Sequence, residues 1–234
     1  MSRRRFNTAA CAAISLILLS AWPRAQAQGL AGISNADATF GLRFALESGA
    51  AAAVGLLARP DGFLSNPKVR IPLPGSLQEA AKLLKALGQR AQVEELETAM
   101  NRAAEAAVPM ARDLLVSAVT AMSITDAKRI LLGGETSVTE FFAEKTRTPM
   151  AAKFLPIVVR ATETVSLAEK YNRVAAQASR AGLVKAEDAS IAHYVTRKAL
   201  DGLYLMIAEE EKKIRQNPLA TGSAILGKVF GALR

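Results

Sequence analysis

The sequence has few of the side chains that enzymes use for covalent or metal chemistry. Cys11 is its only cysteine and His193 its only histidine. Because Cys11 falls in an N-terminal segment that we expect to be removed, the mature chain lacks cysteine, which excludes disulfides, thiol catalysis and cysteine-ligated metal. A lone histidine cannot supply a typical zinc site, and no G-x-S-x-G elbow presents a serine to it. We therefore predict no metal, no cofactor and no catalytic residue, with His193 as a surface or packing residue.

Aromatic residues are also scarce, at 5%, although basic residues outnumber acidic ones by 30 to 21. Several of the arginines lie in the N-terminal segment, so the mature chain is only mildly basic. It has neither an arginine-rich run nor the aromatic ladder that typifies a surface for reading nucleic acid. We predict that nucleic acid is not a partner.

Residues 1–27 have the pattern of an export signal. The arginines of Arg3–Arg5 precede an apolar run, Thr8–Trp22, and the small-residue cleavage site Ala25–Ala27 follows. A membrane anchor is the alternative, but about fifteen apolar residues fall short of the roughly twenty that span a bilayer. We expect cleavage after Ala27, no transmembrane segment afterwards, and a location in the periplasm or cell envelope. Ser2–Phe6 resembles a twin-arginine signal, and the general secretory route fits as well.

Apolar residues recur at helical spacing along the mature chain, without alternating runs of strand length. We predict a single all-α domain over residues 28–234, an irregular bundle around a long, largely buried C-terminal helix at about 188–217. Asp188 or Ser190 caps this helix, and Glu211 with Arg215 forms an acid-before-base pair that supports a solvated last turn. Gly202 within it needs a close packing contact, because glycine in a helix costs roughly 1 kcal/mol relative to alanine.

Other local signals divide the rest of the chain. Capping residues predict one short helix from Ser137 and another from Thr148, which Pro156 bends. A last amphipathic helix covers about 222–233. A long proline-rich loop over 60–75 contains the only extended piece.

Several separated motifs resemble one bacterial family. They are Pro60–Phe63, Asn66-Pro67, Ile71–Pro74, Met100–Glu105, Asp126-Ala127 with Ile130-Leu131, Tyr194–Thr196, Lys198–Leu203 and Glu209–Lys212. In this order they resemble the uncharacterised exported family called domain of unknown function 4197, over nearly the whole mature chain. The resemblance implies an all-helical envelope or periplasmic protein and transfers no catalytic residue.

The proline-rich loop is the first place to look for a binding site, since loops carry many binding residues. Phe63, Leu64, Ile71 and Leu73 are apolar side chains on a segment that cannot join a helix. They either clamp the helical core or form a lid over a ligand groove, and the clamp is the commoner outcome.

Asp201 and Glu210 are the most informative carboxylates, because they fall in or beside the apolar part of the central helix. At about 100° per residue they face opposite ways and cannot form a dyad on one helix. A buried carboxylate needs a partner, so we expect structural ion pairs with an arginine of a neighbouring helix, Arg102 or Arg129. The alternative is a polar anchor inside a ligand groove.

Two functions are compatible with these patterns. The first is a non-enzymatic envelope protein that binds an apolar ligand such as lipid, or a partner protein. The second is a carboxylate-dependent hydrolase or lyase that brings together acids from different helices, for instance Glu105 and Glu210. The candidate residues for binding a ligand or partner are Phe63, Arg70, Asn101, Arg102, Glu105, Asp201 and Glu210.

Overall fold

A computed structural model describes residues 35–180 and 190–217, and these residues form helices without any strand. The helices are α1 (Asn35–Leu57), α2 (Gly75–Ala86), α3 (Arg90–Ala107), α4 (Ala111–Thr120), α5 (Ile124–Leu132), α6 (Ser137–Thr162), α7 (Ser166–Arg180) and α8 (Ile191–Gln216), with a 3₁₀ turn at Val108–Met110. The all-α prediction is confirmed. The expected signal peptide, Asp188, Pro218 and the amphipathic piece at 222–233 lie outside the described residues.

The core is organised around α8, as the sequence predicts. Ser190 caps this helix, since its hydroxyl oxygen accepts a hydrogen bond from the backbone N–H of His193 at 3.2 Å. From there α8 packs most extensively against α6 and then α1. Because two neighbours cover it, its buried residues occupy a wide arc from Ile191 to Glu211.

One boundary prediction is wrong, because α6 is continuous from Ser137 to Thr162 with Pro149 and Pro156 inside it. Each proline lacks a backbone N–H, and a proline inside a helix destabilises that helix by about 3 kcal/mol relative to alanine. Burial of the apolar face of α6 offsets that cost. Its buried apolar residues are Val138, Phe141, Phe142, Met150, Phe154 and Val158.

The first helix is unusually apolar. Its stretch Thr39–Leu57 is long and apolar enough to cross a membrane, with a mean hydropathy of 1.3, and half of it is buried inside the protein. That half contacts α8 and α4. The other half faces outward and carries Phe40 and Phe44 at its N-terminal end.

Candidate functional site

The proline-rich loop between α1 and α2 is anchored to α3 by two buried polar side chains. Asn101 pairs with both backbone groups of Ile71, accepting from its N–H at 2.8 Å and donating to its carbonyl at 3.0 Å. One turn further on, Glu105 accepts from the N–H groups of Phe63 at 3.0 Å and Leu64 at 3.1 Å. The backbone N–H and C=O groups of a loop lack the regular hydrogen bonds of a helix or sheet, so the side chains of Asn101 and Glu105 supply these hydrogen bonds.

The second oxygen of Glu105 completes the network at the surface. Arg102 donates to it at 2.6 Å and to Asp61 at 2.8 Å. Asp61 has a φ of 65°, the left-handed region that non-glycine residues avoid. The ion pair with Arg102 fixes this residue at the start of the loop.

The apolar side of the loop lies in the core. Phe63 is completely buried, and Val69 and Ile71 are 6% and 1% exposed. A Cβ on Gly202 of α8 would come within 2.8 Å of the Phe63 ring and 3.2 Å of Val69 Cβ. The close contact predicted for Gly202 is therefore confirmed, and the loop has the geometry of a clamp.

Ion pairs and one tyrosine close the edges of the clamp. Arg70 pairs with Glu97 at 3.0 Å. Lys68 pairs with Glu209 at 2.7 Å, and that hydrogen bond lowers the pKa of the Glu209 carboxyl. Tyr194 Oη donates to the carbonyl of Pro72 at 3.0 Å. The loop thus touches α3 and α8 together.

Asp201 does not fit the environment expected of it. Its side chain is 43% exposed, and it pairs with Arg147 of α6 at 3.0 Å and more loosely with Arg197 at 3.9 Å. Arg102 serves the loop, and Arg129 pairs with Glu144 at 3.0 Å. The expected ion pair of Asp201 with an arginine of a neighbouring helix is present, but the arginine is Arg147, so the expectations of Arg102 or Arg129 and of a buried Asp201 are wrong.

Beside Asp201, the partly exposed Arg147 lies over the ring of Tyr204, 5.0 Å from its centroid. The hydroxyl of Tyr204 lies 2.9 Å from that of Thr146. Burial raises the pKa of Tyr204, so the hydroxyl stays protonated at neutral pH. These contacts join α8 to α6.

Glu210 is also less buried than expected. Its Cβ lies close to where a Cβ on Gly49 would be, at 3.7 Å, but its carboxylate reaches outward to the exposed Lys213 at 2.6 Å. The expected ion pair of Glu210 with Arg102 or Arg129 is therefore absent. The oxygens of Glu105 are engaged by the loop and by Arg102, whereas Glu210 pairs with Lys213, so the described contacts do not join the two acids in a dyad.

The buried carboxylate of α8 is Glu211, whose side chain is only 2% exposed. It accepts the N–H groups of Val138 and Thr139 in the first turn of α6, each at 3.2 Å, and the Nε–H of Arg215 at 3.0 Å. Arg215 continues the network by donating to the carbonyl of Ile130 at 3.1 Å and to the Ser137 hydroxyl at 2.7 Å. A carboxylate here satisfies orphan donors of the helix and complements its dipole.

Sequence reasoning placed Glu211 in a solvated last turn, and that interpretation is wrong. An acidic and a basic residue four positions apart have the same sequence pattern whether the pair is solvated or buried. The available signal was spacing, because Tyr204, Ile207 and Glu211 follow one another at helical intervals on the face toward α6.

An apolar pocket lies beside Glu211, between α1, α6 and α8. It holds about 20 Å³, which is room for a single water and too little for a lipid chain. Among the residues that the structure describes, no cluster of three or more His, Cys, Asp or Glu side chains could hold a metal ion.

A different kind of surface lies where α1 meets α4. The two helices form an open groove of about 230 Å³, lined by Phe44, Glu47, Ser48, Ala50, Ala51, Arg112 and Val116. Phe40 and Phe44 are 65% and 46% exposed there, on successive turns of α1. Neither Glu47 nor Arg112 makes a salt bridge within 35–180 and 190–217. We call Phe40 together with these groove residues the α1–α4 surface.

The model of one family, described as protein of unknown function (DUF4197), matches residues 32–231. The chain belongs to the DUF4197 family. No curated protein and no solved structure matches it.

The DUF4197 motifs can now be assigned a structural role. They contain the polar residues that anchor the loop, Asn101 and Glu105, together with Gly202, which receives Phe63. They also contain Glu211, which holds the start of α6. The motifs through which the sequence resembles DUF4197 thus specify how the bundle is held together, and the α1–α4 surface lies outside them.

Proposed function

We propose that the chain is an exported, non-enzymatic protein of the cell envelope that binds an apolar partner, lipid or protein, at the α1–α4 surface. The observation that carries this proposal is the pair of exposed phenylalanines beside an open groove. Contiguous exposed apolar surface on a folded protein typically marks an interaction site. Export is supported by the pattern of residues 1–27.

The polar candidates from the sequence support a binding role over catalysis. Asn101 and Glu105 use their acceptors on the backbone of the loop. They therefore act as parts of the scaffold. Asp201 and Glu210 sit in separate, partly exposed ion pairs, so no described cleft brings the seven candidate residues together.

Export is tested by sequencing the N-terminus of protein recovered from the envelope fraction of its own host. We expect the sequence to begin at Gln28. Intact Met1, or protein confined to the cytoplasm, would overturn this part of the proposal.

Binding is tested by native mass spectrometry of the protein purified from that fraction. We expect a bound mass on the wild type that is lost in Phe44→Ser. The matched control is Leu83→Ser on α2, because Leu83 is 68% exposed and lies outside the α1–α4 surface. A bare monomer for the wild type at every concentration of a dilution series, or equal bound mass in both variants, would refute the binding role.

A further inference from the structure

We infer that the partner of the α1–α4 surface is a second copy of this chain, with α1 antiparallel to the α1 of the first copy across a two-fold axis near Ser48. The inference rests on the proposed function, because it names the occupant of that surface. It is carried by the order of side chains along α1 and by the charges beside them.

The exposed face of α1 has large side chains in its N-terminal half and small ones in its C-terminal half. Phe40 and Phe44 occupy its N-terminal half, and Ser48, Ala51 and Gly55 continue the same face toward the C-terminus. Steps of three and four residues keep all five on one side of a helix. A Cβ on Gly55 would meet nothing within 4 Å, so the space above it is open.

This order is self-complementary only when two helices run antiparallel. Pairing about a point between Glu47 and Ser48 sets Phe44 of one copy over Ala51 of the other, and Phe40 over Gly55. Each ring then fills the space above a small residue, and both copies use the same patch, as a two-fold interface requires. A parallel pairing would oppose ring to ring and small residue to small residue, leaving gaps.

The charges fit the same symmetry. Glu47 lies on α1 and Arg112 on the adjacent α4, both exposed, lining one groove and without a salt bridge in the described part of the chain. The two-fold axis brings the two Glu47 side chains toward each other. Arg112 of each copy then supplies the opposite charge for Glu47 of the other, which fixes the register of the pair.

A lipid surface fits this face less well. Helices that lie on a bilayer combine large apolar residues with a basic flank. The exposed face of α1 has an acidic residue, Glu47, in its middle and only small residues beyond Ser48.

The area available predicts a weak dimer. The exposed parts of four phenylalanine rings amount to about 400 Å², against the roughly 1,200 Å² at the low end of stable interfaces. The remaining area must come from the rest of the α1 face and from Val116, which is 41% exposed. We therefore expect a dimer that dissociates on dilution.

The lack of cysteine in the chain from Gln28 onward allows a direct test by single-cysteine cross-linking. Near the axis, Ser48→Cys places two thiols within the short Cβ separation that a disulfide needs. We expect a disulfide-linked dimer on mild oxidation. The matched control is Ser65→Cys, an exposed serine in the loop, which should stay monomeric. Failure of Ser48→Cys to cross-link, or equal cross-linking of the control, would overturn the inference.

Sedimentation of the same chain over a dilution series gives a second readout. We expect Phe44→Glu to weaken dimerisation about tenfold or more, and Leu83→Glu to leave it unchanged. Glu47→Arg and Arg112→Glu should each weaken it, and the double variant should restore it. Failure of the double variant to restore dimerisation would contradict the proposed register.

Vesicles of anionic phospholipid separate this inference from the proposed function. A monomer that binds the vesicles through Phe44 would overturn the dimer and leave the binding role intact. If the chain neither dimerises nor binds the vesicles, and carries no other bound mass, both the dimer and the binding role are overturned.

Discussion

Glu105 and Glu211 use the same arrangement in two parts of the core. Each buried carboxylate accepts two backbone N–H groups from another segment and pairs with an arginine one turn away in its own helix. They differ in that arginine. Arg102 beside Glu105 is 43% exposed, whereas Arg215 beside Glu211 is 18% exposed.

The exposure of the partner arginine indicates which of the two carboxylates is harder to replace. Arg102 keeps Asp61 and solvent as partners when Glu105 is removed. The pair of Glu211 with Arg215 is the more buried of the two, and Arg215 also donates to the carbonyl of Ile130 and the hydroxyl of Ser137. Removing one partner from the more buried ion pair is the costlier defect.

The largest effect is expected for Glu211→Ala. It removes the anion beside Arg215 and leaves the N–H groups of Val138 and Thr139 unsatisfied. We expect the free energy of unfolding to fall by about 3–5 kcal/mol, and Tm by about 10 °C in a domain of this size. Thermal and urea unfolding followed by circular dichroism measure both. A Tm within about 2 °C of wild type would show that Glu211 is not a structural anchor.

Gly202→Leu disturbs the packing of the proline-rich loop without changing either carboxylate. The new side chain meets the ring of Phe63 and the side chain of Val69, both of which are buried. We expect a loss of about 3 kcal/mol in unfolding free energy from overpacking. Gly75→Leu at the start of α2 is the control, because nothing lies within 4 Å of its Cβ and it lies outside the α1–α4 surface. Equal stability of the two variants would contradict the close contact.

Glu105→Ala should cost less than Glu211→Ala. It frees the N–H groups of Phe63 and Leu64, and we expect about 2 kcal/mol. Urea denaturation of the two variants side by side measures the difference. If Glu105→Ala is the more damaging, the exposure of the partner arginine does not decide the ranking.

The smallest effect is expected for Glu210→Ala, which is the natural control for Glu211→Ala. The Glu210 side chain is 18% exposed, but its partner Lys213 is 65% exposed, and a pair that reaches solvent in this way contributes less than about 1 kcal/mol. We expect stability within about 1 kcal/mol of wild type by the same unfolding measurement. A loss of about 3 kcal/mol would restore the original interpretation of Glu210 as a buried structural acid.

The sequence predicted the all-α class, the central position of α8 and the contact at Gly202, because these follow from helical spacing and from the cost of a mid-helix glycine. It failed at Glu210 and Glu211 for a geometric reason. The helical spacing of apolar residues predicts one buried stripe along α8. Because α8 packs on both α1 and α6, a wider part of its circumference is buried.

The continuity of α6 could not be predicted for a different reason. The sequence shows that Pro149 and Pro156 destabilise a helix locally. It does not show the burial of Phe142 and Phe154, which outweighs that loss of stability. The sequence analysis did not single out Phe40 or Phe44, because an exposed phenylalanine on a helix has the same spacing as a buried one. Only the positions of the neighbouring helices show that no described residue covers them fully.

The central position of α8 has a consequence for the order of events during synthesis. The loop near Phe63 and the start of α6 both receive essential partners from α8, more than seventy residues later in the chain. A ribosome synthesises α8 after the other described helices, so those helices can form locally but cannot close the core. The core is therefore completed only after Gln216 has left the ribosome, and a fragment ending before Ile191 lacks part of its interior.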